Sequence, residues 1–240
     1  MASKKSSNKI LRILFEFRSE YIGCSKYITG NALRYALSMP ISTSIGIFTD
    51  YHQVWVPDSY QNFFKIRKKK SFLKPYFYFI WDKYTQKRVR KCFYTPNSVT
   101  FDLTNPPEDI IDQIQNLSLI QFGGGRNLGY GTTELIHWVW IDPNFFEYPE
   151  DATHITLLSP ILYIPSFVHK YACRKEYEIF WNHGKKNKLH IIPPGQFFRI
   201  KSGKDIKKIS QKGLLKKALL GQFGYGEFFL ANWPKGGKGN

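Results

Sequence analysis

The chain has 240 residues, of which 35 are Lys or Arg and 18 are Asp or Glu, so its formal net charge is +17. This length suffices for one large domain or two small ones, and a hydrophobic share of 42% with 22% charged residues excludes wholesale disorder. No apolar run approaches the roughly 20 residues of a membrane span. The positive charge and a 17% aromatic share favour a polyanionic partner. The alternative is a basic globular protein with an aromatic core.

The start of the chain carries charge but no apolar segment. Residues 1–9 are therefore expected to form a flexible leader rather than a signal peptide. The cysteines are Cys24, Cys92 and Cys173, an odd number spaced far apart. This spacing argues against a disulfide framework or a zinc knuckle and favours a reducing, cytoplasmic compartment.

The first periodic segments predict a strand, a helix and a hairpin. The apolar run Ile10–Phe17 is typical of a buried or half-buried strand. A helix follows, with Thr29 as its N-cap and Pro40 as its stop. Two apolar segments, residues 76–81 and 89–94, are separated by polar residues and predict a hairpin with a basic tip.

A second helix opens after Pro106 and Pro107 and is expected to run from Ile110 to about Leu117. A glycine-rich loop and a strand over residues 135–141 follow it. The order strand, helix, hairpin, helix, strand predicts a ferredoxin-like unit over residues 10–143.

The remaining chain repeats part of this order. Short strands are expected over residues 153–158, 189–192 and 197–200, while residues 167–181 fit a helix or a strand. A Lys-rich amphipathic helix over residues 204–220, a second glycine loop and a strand over 227–231 end this half as the first half ends. We therefore expect an α+β protein with two tandem ferredoxin-like units, the second over residues 152–233, and a flexible tail over residues 234–240.

The two glycine loops are the clearest motifs. Glycines allow positive φ and close approach of the backbone, so that successive N–H groups can hold a phosphate. Neither loop has the spacing of a nucleotide-binding fingerprint, and each precedes a strand, so no cofactor is expected. A tight connection without a ligand is the alternative. The candidate binding residues of the two loops are Gly123, Gly124, Gly125, Arg126, Asn127, Gly129, Tyr130 and Gly131, then Gly224, Tyr225 and Gly226.

These loops, the segment of residues 27–34 and the segment of residues 156–160 resemble the RAMP (repeat-associated mysterious protein) superfamily of CRISPR effector subunits. That resemblance implies ferredoxin folds like the RNA-recognition motif and glycine loops that bind RNA, with Arg34 of the first helix as a further contact. A glycine loop closing both halves is most similar to the Cas-five group, which holds the 5′ handle of the guide RNA. The implied partners are guide RNA and other effector subunits of an antiviral ribonucleoprotein.

A run of basic residues surrounds the predicted hairpin. Eleven Lys and Arg side chains lie within residues 65–91, interleaved with aromatic residues. A charge run of this kind forms either a solvated face or a nucleic-acid groove, and the aromatic residues favour the groove. The candidate RNA contacts here are Lys68, Lys69, Lys70, Arg88 and Arg90.

Catalysis is a separate question. Metal-independent RNA cleavage needs a base and an acid, which makes histidines the candidates. His52, with Tyr35 as its candidate partner, lies in a position similar to that of the catalytic histidine in the repeat-processing Cas-six endoribonucleases. No metal-ligand spacing and no acidic cluster is present, so no metal site is predicted. The favoured interpretation is a guide-RNA-binding subunit that does not cut RNA; the alternatives are the endoribonuclease and a protein scaffold.

Overall fold

The computed structural model describes residues 9–24, 26–50, 76–82, 86–141, 152–169, 173–182, 185–201 and 220–231. The predictions for Lys68, Lys69, Lys70, His52 and most of the Lys-rich helix over 204–220 lie outside these ranges. Within them, no helix is both long enough and apolar enough to cross a membrane.

The described chain is mostly antiparallel sheet with few helices. The first half holds β1 Ile10–Phe17, α1 Gly30–Leu37, β2 Ser42–Thr43, β3 Ile47–Thr49, β4 Tyr76–Asp82, β5 Lys87–Phe93, β6 Ser98–Thr104, α2 Ile110–Gln115, β7 Ile120–Gln121 and β8 Thr132–Ile141. The second half holds β9 His154–Leu157, β10 Glu176–Asn182, β11 Lys185–Ile191, β12 Phe197–Arg199 and β13 Phe228–Ala231.

The first half is built on one six-stranded sheet with β1 near its centre. Strand β1 pairs antiparallel with β6 on one side and β8 on the other. Beyond β6 lie β2 and β3, and beyond β8 lies β7. The last strand of this half thus returns beside the first, which is the order that split strand–helix–strand connections produce.

The predicted hairpin forms, but its placement in the main sheet was wrong. Strands β4 and β5 pair with each other as a separate two-stranded sheet. The main sheet uses β6 instead, a strand that the sequence analysis missed. Its alternate residues Val99, Phe101 and Leu103 are buried in the core at 0–2% exposure, which is the period-2 pattern of a half-buried strand.

The core of the first half is aromatic and aliphatic. The Phe15 ring stacks on Phe101 at a centroid distance of 5.9 Å and meets Phe122 edge-on at 5.4 Å. The side-chain oxygen of Thr29 accepts a hydrogen bond from the Ala32 N–H at 3.3 Å, so the predicted N-cap is confirmed. Ser38, at φ 55°, ends the helix two residues before the predicted stop.

The second half contains a three-stranded sheet and a hairpin. Strand β9 lies between β12 and β13, and β10 pairs with β11. The segment of residues 167–181, which fitted a helix or a strand, contributes its end to the strand β10. Because most of the Lys-rich helix lies outside the described residues, the tandem arrangement of two ferredoxin-like units stays a prediction.

Among the contacts between the two halves is a group of three side chains that we call the junction cluster: Tyr27, Glu178 and Tyr225. The Glu178 carboxylate accepts a hydrogen bond from each tyrosine hydroxyl. Both tyrosines are buried, at 4% and 1% exposure. Burial raises the pKa of Glu178, while its two tyrosine hydrogen bonds and the charge of Lys26 lower it by less. Beside the cluster, Lys26 Nζ lies 2.7 Å from Glu176.

The junction cluster predicts a pH effect on stability. A raised pKa in the folded state means that the folded protein binds the proton more tightly than the unfolded chain, so stability from this group falls as pH rises through that window. The variant Glu178→Gln keeps the shape and has no charge to bury. Urea unfolding from about pH 4 to about pH 8 should therefore show the difference in unfolding free energy shifting in favour of Glu178→Gln as pH rises, and levelling off once the pH exceeds the raised pKa. A difference that stays constant with pH would contradict the assignment.

Candidate nucleic-acid interface

The central glycine loop, residues 122–131, joins β7 to β8 and projects a short 3₁₀ turn, Arg126–Leu128. All three residues of the turn are exposed, Leu128 at 62%. The loop owes this path to positive φ at four glycines, as the glycine density predicted. These are Gly123 at 89°, Gly125 at 68°, Gly129 at 84° and Gly131 at 72°.

Hydrogen bonds from the protein itself hold the loop in shape. The Ser19 hydroxyl donates to the Gly129 carbonyl at 2.8 Å. The Gly131 N–H donates to the Glu20 carbonyl at 2.7 Å. From inside the loop, the Gln121 side-chain amide donates to the Arg126 carbonyl at 3.1 Å. The loop is therefore preorganised, and a ligand at its tip need not order it.

The tip of the central glycine loop presents hydrogen-bond donors. The N–H groups that begin a helical turn have no partner within that turn, and here they belong to the residues around Arg126 and Asn127. Among the described residues, no ion pair uses the Arg126 guanidinium. An exposed arginine beside backbone N–H groups favours an anion such as a phosphate.

The loop adjoins the root of the basic hairpin. The Tyr130 ring lies 5.0 Å from the Phe93 ring, and Phe93 is the last residue of β5. Arg88, five residues earlier on β5, is exposed, and it lies about 17 Å from Phe93 along an extended strand. The structure thus brings together the central loop and the strand that carries Arg88 and Arg90.

The predicted contact Arg34 lies elsewhere, against the second glycine loop. Its guanidinium carbon is 4.8 Å from the centre of the Phe223 ring. Burial lowers the pKa of Arg34, and its Nη1 atom is buried and has no hydrogen-bond partner among the described residues. The adjacent Tyr35 is 48% exposed.

The second loop is packed rather than exposed. Gly224, Tyr225 and Gly226 are all buried. A Cβ on Gly224 would lie 2.5 Å from the Ile45 nitrogen, so this backbone touches the first half directly. Among the described residues, no hydrogen bond or ring contact joins the second loop to the central one. RNA binding by the second loop and by Arg34 stays a prediction.

Sequence reasoning missed the residues that brace the central loop. Gln121, a polar residue at the end of a short strand before a glycine run, was a usable local signal. Ser19 gave no local signal, since it lies 110 residues before Gly129, whose carbonyl accepts its hydrogen bond. Among the described residues, no group of three or more His, Cys, Asp or Glu side chains is placed to hold a metal ion.

Two glycines of the central loop provide a matched pair of variants. A Cβ on Gly131 would lie 1.8 Å from the Phe122 carbonyl oxygen, whereas a Cβ on Gly129 would meet no atom of the described residues within 4 Å. Gly129→Ala should therefore lower the unfolding free energy by only about 1–2 kcal/mol, from its positive φ. Gly131→Ala adds a backbone clash and should lower it further. Urea unfolding of both variants checks this order, and equal losses would contradict it.

Comparisons with known proteins find similarity to solved structures. No family model and no curated protein matches the chain. The chain is similar to a solved structure titled "CRISPR associated protein Cas6", at 10% sequence identity and a TM-score of 0.41, over 94% of this chain and 100% of that one. A TM-score of this size carries no argument about function, which is therefore inferred from the residues of this chain.

Proposed function

We propose that this protein binds single-stranded RNA at its central glycine loop, and that it is the subunit of a CRISPR ribonucleoprotein that holds the 5′ handle of the guide RNA without cutting it. The observation that carries the proposal is the exposed, braced turn Arg126–Leu128 between glycines at positive φ. Its preference for RNA over other polyanions comes from the sequence resemblance to the RAMP superfamily.

The chemistry of the tip suits a phosphodiester. Arg126 offers a planar fork of donors that binds two phosphate oxygens at once. The preceding glycines leave room for a backbone to come close, and the neighbouring N–H groups add neutral donors. Tyr130, half-buried against Phe93, places an aromatic ring next to this anion site. Aromatic rings beside phosphate donors are the usual means of holding unpaired bases.

Charge supports the same surface. The net charge of +17 favours any polyanion, and Phe93, which contacts Tyr130, ends the strand that carries the exposed Arg88. Phosphate contacts release counterions, so the affinity should fall steeply with salt. The tip of the loop and the hairpin would then act together: the tip binds one phosphate and the hairpin attracts the RNA strand.

The test replaces Arg126 and a matched arginine. Arg126→Ala should weaken binding of single-stranded RNA by about 1–3 kcal/mol, because it removes a charged hydrogen-bonding group, and should lower the salt slope by about one contact. Arg199→Ala removes the same charge from an exposed position on β12 and should change the affinity much less. Fluorescence anisotropy over a salt series measures both. Equal effects of the two variants would show that only total charge matters and would overturn the loop as the site.

A cleavage assay separates the binding subunit from the endoribonuclease. A repeat-containing RNA incubated with the protein in the absence of metal should remain intact, because the central loop, residues 122–131, contains no histidine, carboxylate or lysine to act as base or acid. Cleavage by the wild type that disappears in His52→Ala would instead assign the protein to the repeat-processing class. A control without protein, in the same buffer and for the same incubation time, measures spontaneous cleavage of the RNA.

A further inference from the structure

The outer face of the β10–β11 hairpin is not used by the proposed loop site. In the antiparallel register Tyr177 pairs with His190 and Ile179 pairs with Lys188. Directly paired residues share a face of the hairpin, and alternate residues along each strand return to it. The described side chains on this face are Tyr177, Ile179, Lys186, Lys188 and His190, all exposed.

Charge is separated between the two faces of this hairpin. The acidic residues of β10 are Glu176 and Glu178, and both lie on the opposite face. There they are engaged by the first half of the chain, Glu176 by Lys26 and Glu178 by Tyr27. The outer face therefore carries lysines without a carboxylate among its described residues, which is complementary to a polyanion.

An exposed ring lies at the centre of the basic face. Tyr177 is 60% exposed. Lys188 Nζ lies 3.9 Å from the centre of its ring, and the His190 ring lies 4.4 Å away at 63°. Both neighbours contact the ring. An exposed ring flanked by an ammonium group is suited to stack a base while the ammonium meets the adjoining phosphate.

We propose that the outer face of the β10–β11 hairpin is a second RNA contact, which stacks an unpaired base on Tyr177 and binds its backbone through Lys186 and Lys188. This inference rests on the proposed function, since it assumes that the bound polyanion is single-stranded RNA. It assigns to this hairpin a role in holding bases, distinct from the phosphate site at the central loop. An acidic protein surface would use the lysines but would gain little from the tyrosine ring.

The experiment compares base stacking with charge alone. The probes are a single-stranded oligouridine RNA and the same backbone with abasic residues. Tyr177→Ala should weaken oligouridine binding by the full chain about tenfold and leave abasic binding unchanged, while Tyr177→Phe keeps both. Tyr163→Ala is the matched control, because Tyr163 is 61% exposed outside this face. Lys188→Ala should weaken both probes and lower the salt slope by about one.

The outcomes separate this inference from the proposed function. Equal effects of Tyr177→Ala and Tyr163→Ala, or an equal loss for both probes, would overturn the stacking site while Arg126-dependent binding stands. Absence of RNA binding by the wild type would overturn both. A polyglutamate peptide that binds through Lys188, with oligouridine affinity unchanged in both variants, would assign the face to an acidic protein and overturn the RNA contact. If Tyr177→Ala lowers the melting temperature, the result for Lys188→Ala decides. An oligouridine affinity that is unchanged in Lys188→Ala would contradict the site.

Discussion

The arrangement of the two halves depends on one partly buried carboxylate. Glu178 accepts hydrogen bonds from Tyr27, 151 residues earlier, and from Tyr225, 47 residues later. A partly buried carboxylate that loses its hydrogen-bond donors is destabilising, because its desolvation is then uncompensated, and this favours keeping the three segments together. The contact fixes β10 against the start of α1 and holds the second glycine loop against the same helix. Gly30 belongs to this contact, because a Cβ there would lie 2.3 Å from the Phe223 carbonyl oxygen.

This constraint gives two similar glycine loops different environments. Each contains a 3₁₀ turn that ends at a glycine in the left-handed region, Gly129 at φ 84° and Gly224 at φ 81°. The first turn is exposed and the second packs against α1, with its Gly221 buried. The same backbone geometry therefore offers donors to a ligand in one half and closes the junction in the other. Because the inner face of β10 is occupied by the junction, the face of the β10–β11 hairpin that carries Tyr177 and Lys188 is the one turned to solvent.

Local patterns in the sequence predicted local structure. The run Ile10–Phe17 is a strand, Thr29 caps α1, and the glycine density marked the positive-φ loop. Local pattern could not say which sheet a strand joins, so the aromatic hairpin β4–β5 was placed in the main sheet, and β6 was overlooked although it alternates. The junction cluster and the bond from Ser19 to the loop had no sequence signal, because they join residues 47 to 151 positions apart.

The central claim is that RNA is bound at the exposed glycine loop, and direct mapping of the contact tests it. A single-stranded RNA carrying 4-thiouridine is irradiated with the full chain at low and at physiological salt, and mass spectrometry locates the cross-linked residues. The account predicts cross-links at residues 126–130, with Tyr130 among them, whose yield falls as salt rises because phosphate contacts release counterions. Cross-links confined to other segments, with residues 123–131 unmodified, would contradict it.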